Sequence, residues 1–424
     1  MRISIKQGRI IDPANNVDQV SDLHTDQGKI AGIGKPPAGF KPDYTIEAKG
    51  HYVCPGLVDL AVRLREPGQE YKATIASETW AAANGGITSI CCPPDTSPII
   101  DTSAVTELIH QRALLSKKAK IYCLGALTQG LKGESLAGMH ALKSAGCIGV
   151  SNAYTPITDT AVLRRALEYA ATCELTVHLY CEDNYLHEDG VIHEGIMSVR
   201  LGLAGIPDTA ETIAVSKALL LIEQTGARVH FCRISSARSL TMLARAKEQG
   251  LPVTADVGIT HLFLSEIDVD GFNSLCHIRP PLRTTRDRDE LRKALASGII
   301  DAVCSDHQPH DEDAKSAPFS LTESGASTID VLLSLVLQLA KDKVIDLYTA
   351  IAALTIMPAK IAGIDAGSLA TGEQADICII DPEQIWTLEK TSLVSAGKNN
   401  PFLGWEMTGK VTHTLLDGDV VYKQ

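Results

Sequence analysis

Apolar and polar positions alternate in short runs over the first 52 residues, as in RISIKQGRIID, VSDLHTDQGKIAGIG and YTIEAKGHYV. A period of two is the signature of half-buried strands, and Asp-Gln-Gly at 26–28 reads as a hairpin turn. The same texture returns late in the chain, in ADICIIDP from 375 and TGKVTHTLLDGDVVYKQ from 408, with Asp-Gly at 417 and 418. Two β-rich ends around a different middle predict a small β-sandwich domain assembled from residues 1–52 and 367–424. The middle alternates short, continuously apolar runs with amphipathic helical segments. The runs lie at 57–62, 87–92, 119–124, 147–151, 175–181, 228–233, 252–257 and 299–305. Eight buried strands with interleaved helices predict an α/β fold, a (β/α)8 TIM barrel over 53–366. The apolar stretch at 331–340 is read as a core helix. It is too short to span a bilayer.

Composition narrows the function classes. A chain of 424 residues that is 45% hydrophobic and 4% aromatic can build one large core and a satellite. A net charge of −12 and the lack of any basic run argue against nucleic-acid and anionic-membrane surfaces. Eleven cysteines without a C-x-x-C pair, several inside strand-like runs, read as buried thiols in a reducing compartment. The start lacks a signal-peptide core, so the expectation is a cytoplasmic protein. No Gly-rich dinucleotide or phosphate loop is present.

Barrel chemistry sits at the C-terminal strand ends. After the first strand stand Ala61, Arg63, Arg65 and Glu66; after the second, Asp95 in PPDTSP; after the fourth, Asn152 and Ala153 in SNAYTP. The fifth ends in VHLYCED with Tyr180, and the sixth in VHFCRISS with Arg233. HIRPPLR, with Arg279, follows the seventh; the eighth ends in CSDHQPHDED with Asp306, His307 and His310.

Taken together, PGLVDLAVRLREPGQE, AAANGGITSICCPPDTSPIID, CEDNYL, LGLAGIPDTAE, PPLRTTRDRDEL, SDHQPH and KNNPFLGW run colinearly along nearly the whole chain. The chain resembles the dihydroorotase branch of the amidohydrolase superfamily. That resemblance implies a binuclear zinc site held by a His-x-His pair, an Asp-Asp pair, two further histidines and an aspartate. Here those places hold Ala61 and Arg63, Asn152 and Ala153, Tyr180, and Arg233; only Asp306 remains. Ala offers no donor and Arg cannot deprotonate to become one, so the expectation is a chain that carries no stoichiometric zinc and no other cofactor. Of the substrate-carboxylate residues the resemblance implies, Arg65 and His310 are kept. Asp95 and Arg279 replace two asparagines.

The resemblance implies a non-catalytic homologue, a structural partner of the aspartate transcarbamoylase catalytic subunit that supports assembly of a large complex. Homo-oligomerisation is expected with it. Two alternatives stand beside this reading. One is an active cyclic amidohydrolase rebuilt around Asp306, His307 and His310. The other is a non-catalytic sensor that keeps Arg65 and His310 to bind an anionic pyrimidine precursor. Arg63 and Arg233 are expected to take the space and charge of the missing cations beside Asp306, with Tyr180 filling volume. Arg65 is expected to form an ion pair with Glu66, Asp95 or Asp306. His178 and His230 are read as structural and off the inward face by pleat parity, His307 as either structural or a ligand contact, and His261 and His277 as loop residues. Glu182 and Asp183 are read as structural anchors.

Overall fold

The computed structural model describes all 424 residues. Eight parallel strands pair side by side in chain order: Leu57–Asp59, Ile87–Cys92, Lys120–Ala126, Gly149–Ser151, Thr176–Tyr180, Val229–Cys232, Val253–Gly258 and Ala302–Cys304. Their faces are covered by the barrel interior and the outer helices, which is why they read as unbroken apolar runs; every residue of Ile87–Cys92 is buried. Closure between the last and first strands is split. Low in the barrel, Val303 and Val58 donate to the carbonyls of Ala353 and Leu354, so that segment sits between the two strands. At the top, Arg63 N donates to His307 O and His307 N to Ala61 O, each at 2.9 Å.

The connecting helices begin where the sequence supplies caps. Thr74 and Ser77 form a reciprocal capping box ahead of Ile75–Asn84, Asp159 accepts from Ala161 and Val162 ahead of Thr160–Thr172, and Thr284 pairs with Asp287 ahead of Thr285–Ser297. The stretch around 331–340 forms the helix Leu332–Lys341, buried along most of its length.

The two chain ends meet in one eight-stranded sheet. Ile3–Asp12 pairs antiparallel with Val17–Asp26 and parallel with Tyr44–Glu47 and Tyr52–Pro55. Tyr52–Pro55 then pairs with Ile377–Thr387, which carries Glu406–Leu416 and Asp419–Lys423. Both expected hairpin turns have positive φ at their two central residues, Gln27 and Gly28 (50° and 80°) and Asp417 and Gly418 (48° and 77°). That geometry matches the twist of the flanking strands. The sheet wraps its own core of 13 buried residues, apart from the 83-residue core of the barrel. All eleven cysteines are buried free thiols. No helix is long and apolar enough to cross a membrane.

Candidate functional site at the barrel mouth

The mouth is organised from the backbone outward. Asp59 accepts hydrogen bonds from Ala61 N and Ser305 N at 3.2 and 3.1 Å, tying the first strand to the eighth. Burial pushes its carboxyl up to about 6. Above it, Arg65, Ala153, Arg233 and Asp306 adopt φ of 61°, 50°, 53° and 49°. A left-handed conformation costs a non-glycine residue about 1–2 kcal/mol. Such strain survives where surrounding structure enforces it, and it clusters at functional sites. Arg233 and Asp306 make this turn just past the ends of the sixth and eighth strands, and their side chains meet there.

At that point stands Asp306, with 5% of its surface exposed. Tyr154 OH donates to its carboxylate, lying 2.8 and 2.6 Å from the two oxygens. Gln308 Nε2 donates to Oδ2 at 3.2 Å and to the Tyr154 hydroxyl at 3.0 Å. Arg63 bridges two carboxylates: Nε donates to Asp95 Oδ2 at 2.7 Å, and Nη1 reaches Asp306 Oδ1 at 3.4 Å. Burial raises the Asp95 carboxyl, but the Arg63 cation overrides it and holds that carboxyl below the ordinary range. Arg233 Nε lies 3.6 Å from Asp306 Oδ1, an ion pair without a hydrogen bond. Both guanidiniums lie over the Tyr154 ring, with Cζ 4.4 and 4.9 Å from its centroid. Tyr180 packs edge-on against Tyr154 at 4.7 Å and donates to Glu182 Oε1 at 3.2 Å. Arg279 donates to the other Glu182 oxygen and lies over both tyrosine rings.

The remaining family positions have turned structural or inert. Asn152 bridges strands, with Nδ2 donating to Tyr180 O at 2.9 Å and Oδ1 accepting from Tyr180 N at 2.8 Å. Ala61 and Ala153 are buried with no side-chain donor. These residues do not fit a zinc pair. Of these positions only Asp306 carries a ligand-type side chain, and two buried guanidiniums lie against it. The space bounded by Arg63, Arg65, Gln69, Cys92 and Asp95 amounts to about 10 Å³, the room of a single water at most.

Several expectations are corrected here. Arg65 forms no ion pair with Glu66, Asp95 or Asp306. Its Nε donates to Pro309 O at 2.9 Å, Nη1 to Gln69 Oε1 at 3.3 Å, and Nη2 lies 3.2 Å from His310 Nε2. Glu66 is taken by Arg112 and the Ile75 amide, and Asp95 by Arg63, so none is left for Arg65. Burial, and then the Arg63 charge, lower the Arg65 guanidinium to about 10. His310 also faces Lys72 Nζ at 3.3 Å; burial and the neighbouring cations Arg65 and Lys72 push its imidazole down to about 2.

His307 resolves to the structural reading: Nε2 meets Glu78 Oε2 at 2.7 Å and Nδ1 accepts from Thr328 N at 3.1 Å, away from Asp306's partners. His178 and His230 are not off the inward face. Residues 178 and 180 share pleat parity, so His178 lies one layer beneath Tyr180. The left-handed turn at Arg233 breaks the alternation on the sixth strand and lets His230 face inward too; the two rings are 5.2 Å apart. His261 is buried with Nε2 3.0 Å from Pro280 O, and His277 stacks on Phe319. Asp183 caps Asn184–His187, as an anchor should.

Tyr154, Gln308 and Lys72 escaped the sequence reading. Tyr154 lies inside the SNAYTP motif, two residues past Asn152, but a tyrosine is not a ligand type and nothing local marks it.

Residues 50–239 match the dihydro-orotase-like family and residues 226–422 the amidohydrolase family. A dihydroorotase-like protein of Pseudomonas putida is 50% identical over 422 residues, covering 100% of this chain and 99% of its own. A protein of the same description from Pseudomonas aeruginosa is 48% identical, with both chains fully covered. The chain belongs to the dihydroorotase-like amidohydrolases. A dihydroorotase of Geotalea daltonii is 40% identical, again over the whole of both chains. Among solved structures, the L-hydantoinase of Arthrobacter aurescens superposes with a TM-score of 0.90 at 22% identity, covering 99% of this chain and 96% of its own. That likeness concerns the fold. It matches the barrel and the two-ended sheet of this dihydroorotase-like chain.

Proposed function

We propose that this protein is a non-catalytic member of its family and acts as a structural partner of aspartate transcarbamoylase in pyrimidine biosynthesis. The observation that carries the first half is the Arg63–Asp306–Arg233 arrangement. Metal-assisted amide hydrolysis needs a cation that lowers the pKa of bound water to near 7 and polarises the carbonyl. A carboxylate already engaged by Tyr154, Gln308 and two guanidiniums is neither a free base nor a ligand in waiting. The second half rests on the family resemblance and on an intact barrel around a closed mouth: the scaffold is kept while its chemistry is not.

The test is direct. The purified protein is mixed at micromolar concentration with aspartate transcarbamoylase from the same organism and run on size-exclusion chromatography. Co-elution in a larger species supports the partnership, and two independent peaks overturn it. In the same preparation, turnover of dihydroorotate within about a hundredfold of an ordinary enzymic rate of ~10 per second would overturn the non-catalytic reading.

One observation favours a second reading. Arg65 is half-buried and has no carboxylate partner, which leaves a cation available to an anionic ligand beside His310. Calorimetric titration with N-carbamoyl-aspartate, giving heat that Arg65→Gln abolishes, would favour the sensor reading over the scaffold.

A further inference from the structure

One layer beneath the plugged mouth, the barrel interior carries a second set of metal-type donors. His178 on the fifth strand and His230 and Cys232 on the sixth are all buried, and one ligand atom from each lies within 4.8 Å of the others. In tetrahedral zinc sites with bonds of about 2.0–2.3 Å, donor atoms sit roughly 3.3–3.8 Å apart, so closing on a cation asks for only small side-chain adjustments. A second observation points the same way. His178 is 1% exposed, yet its Nε2 has no hydrogen-bond partner at all. A buried polar atom left unpaired is costly, and native proteins rarely tolerate one without a reason.

The surroundings hold both signs of charge: Asp256 beside His230, and the Arg233 guanidinium next along the chain from Cys232. His230 is already oriented, with one ring nitrogen 2.9 Å from Thr254 Oγ1 and the other 3.0 Å from Asp256 Oδ2. A ligating imidazole commonly keeps its second nitrogen on a carboxylate, which fixes its tautomer and raises its basicity. One of the two contacts would give way to the cation and the other would hold the ring. Burial and the neighbouring His230 lower the His178 imidazole to about 3, so it is held in the neutral form that binds metal. A cavity of about 600 Å³ opens at the floor of the barrel, lined by Thr176 and Thr254, and Thr254 touches His230 directly.

We propose that His178, His230 and Cys232 form a mononuclear site for a zinc-class cation in the barrel interior, separate from the mouth. Two imidazoles and a thiolate select zinc over magnesium or calcium, which require oxygen donors. The cation displaces the Cys232 proton, which passes to solvent, so affinity rises with pH.

The test uses the full-length protein, stripped with chelator and reloaded with zinc(II). X-ray absorption should find about one sulfur at ~2.3 Å and two imidazole nitrogens at ~2.0 Å around one zinc per chain. A shell of oxygen and nitrogen alone would overturn the proposal, as would zinc that dialysis removes entirely. No variant is needed for that measurement. Cobalt(II) then serves as a visible probe: a thiolate charge-transfer band should saturate at one equivalent and vanish in Cys232→Ser. His178→Gln should weaken cobalt binding at least tenfold while circular dichroism confirms the fold. A band that persists undiminished in Cys232→Ser would place the cation elsewhere and overturn the site.

Discussion

On one side of the barrel mouth, Arg63 and Arg233 face Asp95 and Asp306 across a tyrosine ring, and every charge has an opposite within 4 Å. On the other side, Arg65 lies against a carbonyl, an amide and a neutral imidazole, and Lys72 finds its carboxylate only at the solvent edge, in the half-exposed Glu323. Arg63, Arg233 and Asp306 of the first side stand at positions the resemblance gives to metal ligands, while Asp95, Arg65 and His310 stand at positions it gives to substrate. The contrast separates two ways of accommodating a charge. Buried carboxylates need cations beside them, because an unpaired buried charge costs several kcal/mol. Where no carboxylate is within reach, an arginine can be satisfied by dipoles.

The sharpest way to break this contrast is to remove the bridging cation. Arg63→Met leaves Asp95 and Asp306 facing each other's charge with only Arg233 at 3.6 Å. Truncating one partner of a buried pair typically costs 3–5 kcal/mol. Denaturant unfolding should show a loss of that size. A loss below about 1 kcal/mol would mean the plug contributes nothing to the fold.

The second test reads the other side through pH. The His310 imidazole, lowered to about 2, stays neutral in the folded protein, whereas the unfolded chain takes up a proton near the ordinary value of ~6.5. The unfolded state then binds more protons, so stability falls as pH drops below ~6.5. Down to pH 5 one such histidine contributes about 2 kcal/mol of that fall. His178, His193, His261 and His277, held at about 3, 4, 4 and 4, act in the same direction. Asp59 and Asp330, raised to about 6, act against it, since their folded forms gain protons first. His310→Gln should flatten the unfolding free energy between pH 6.5 and 5; an unchanged slope would show that Arg65 and Lys72 do not hold that ring neutral.

Tyr154→Phe removes one hydroxyl from Asp306 while leaving the ring that both guanidiniums cover. A hydrogen bond to a charged group is worth about 1.5–3 kcal/mol, and Gln308 still donates to the same carboxylate. The expected cost is about 1.5 kcal/mol, measured as a fall in melting temperature.

These residues also mark how far the sequence could be read. The period-two ends and the eight apolar runs made the architecture legible, because burial on both faces leaves a continuous signature. The residue types at the strand ends, with Asp306 alone of the metal-ligand type, were legible directly. The positions of His178 and His230 were not, because parity fails where a strand turns left-handed, and nothing in VHFCRISS announces that Arg233 does so. Arg65 was misassigned for another reason. Glu66 and Asp95 are near it along the chain or across the mouth, but each is claimed by a nearer arginine, and such competition is decided only in three dimensions.

The smallest expected effect is the most diagnostic for the comparison. Arg65→Gln deletes a half-buried cation that no carboxylate pairs with. What it loses is a hydrogen bond to Pro309 O and a weak contact to Gln69, while the shorter amide can still donate locally. It also gains, because the charge that burial opposes is gone, the same opposition that lowers the guanidinium to about 10. Its left-handed backbone, φ 61°, is unaffected by the change. Loss and gain should nearly cancel, leaving a change within about 1 kcal/mol, against 3–5 for Arg63→Met two residues away. Parallel urea titrations of the two variants measure the difference. If Arg65→Gln proves as damaging as Arg63→Met, the two sides of the mouth are one electrostatic unit. If it is neutral or stabilising, Arg65 contributes little to the fold, and anion binding beside His310 is the property to assay in that variant.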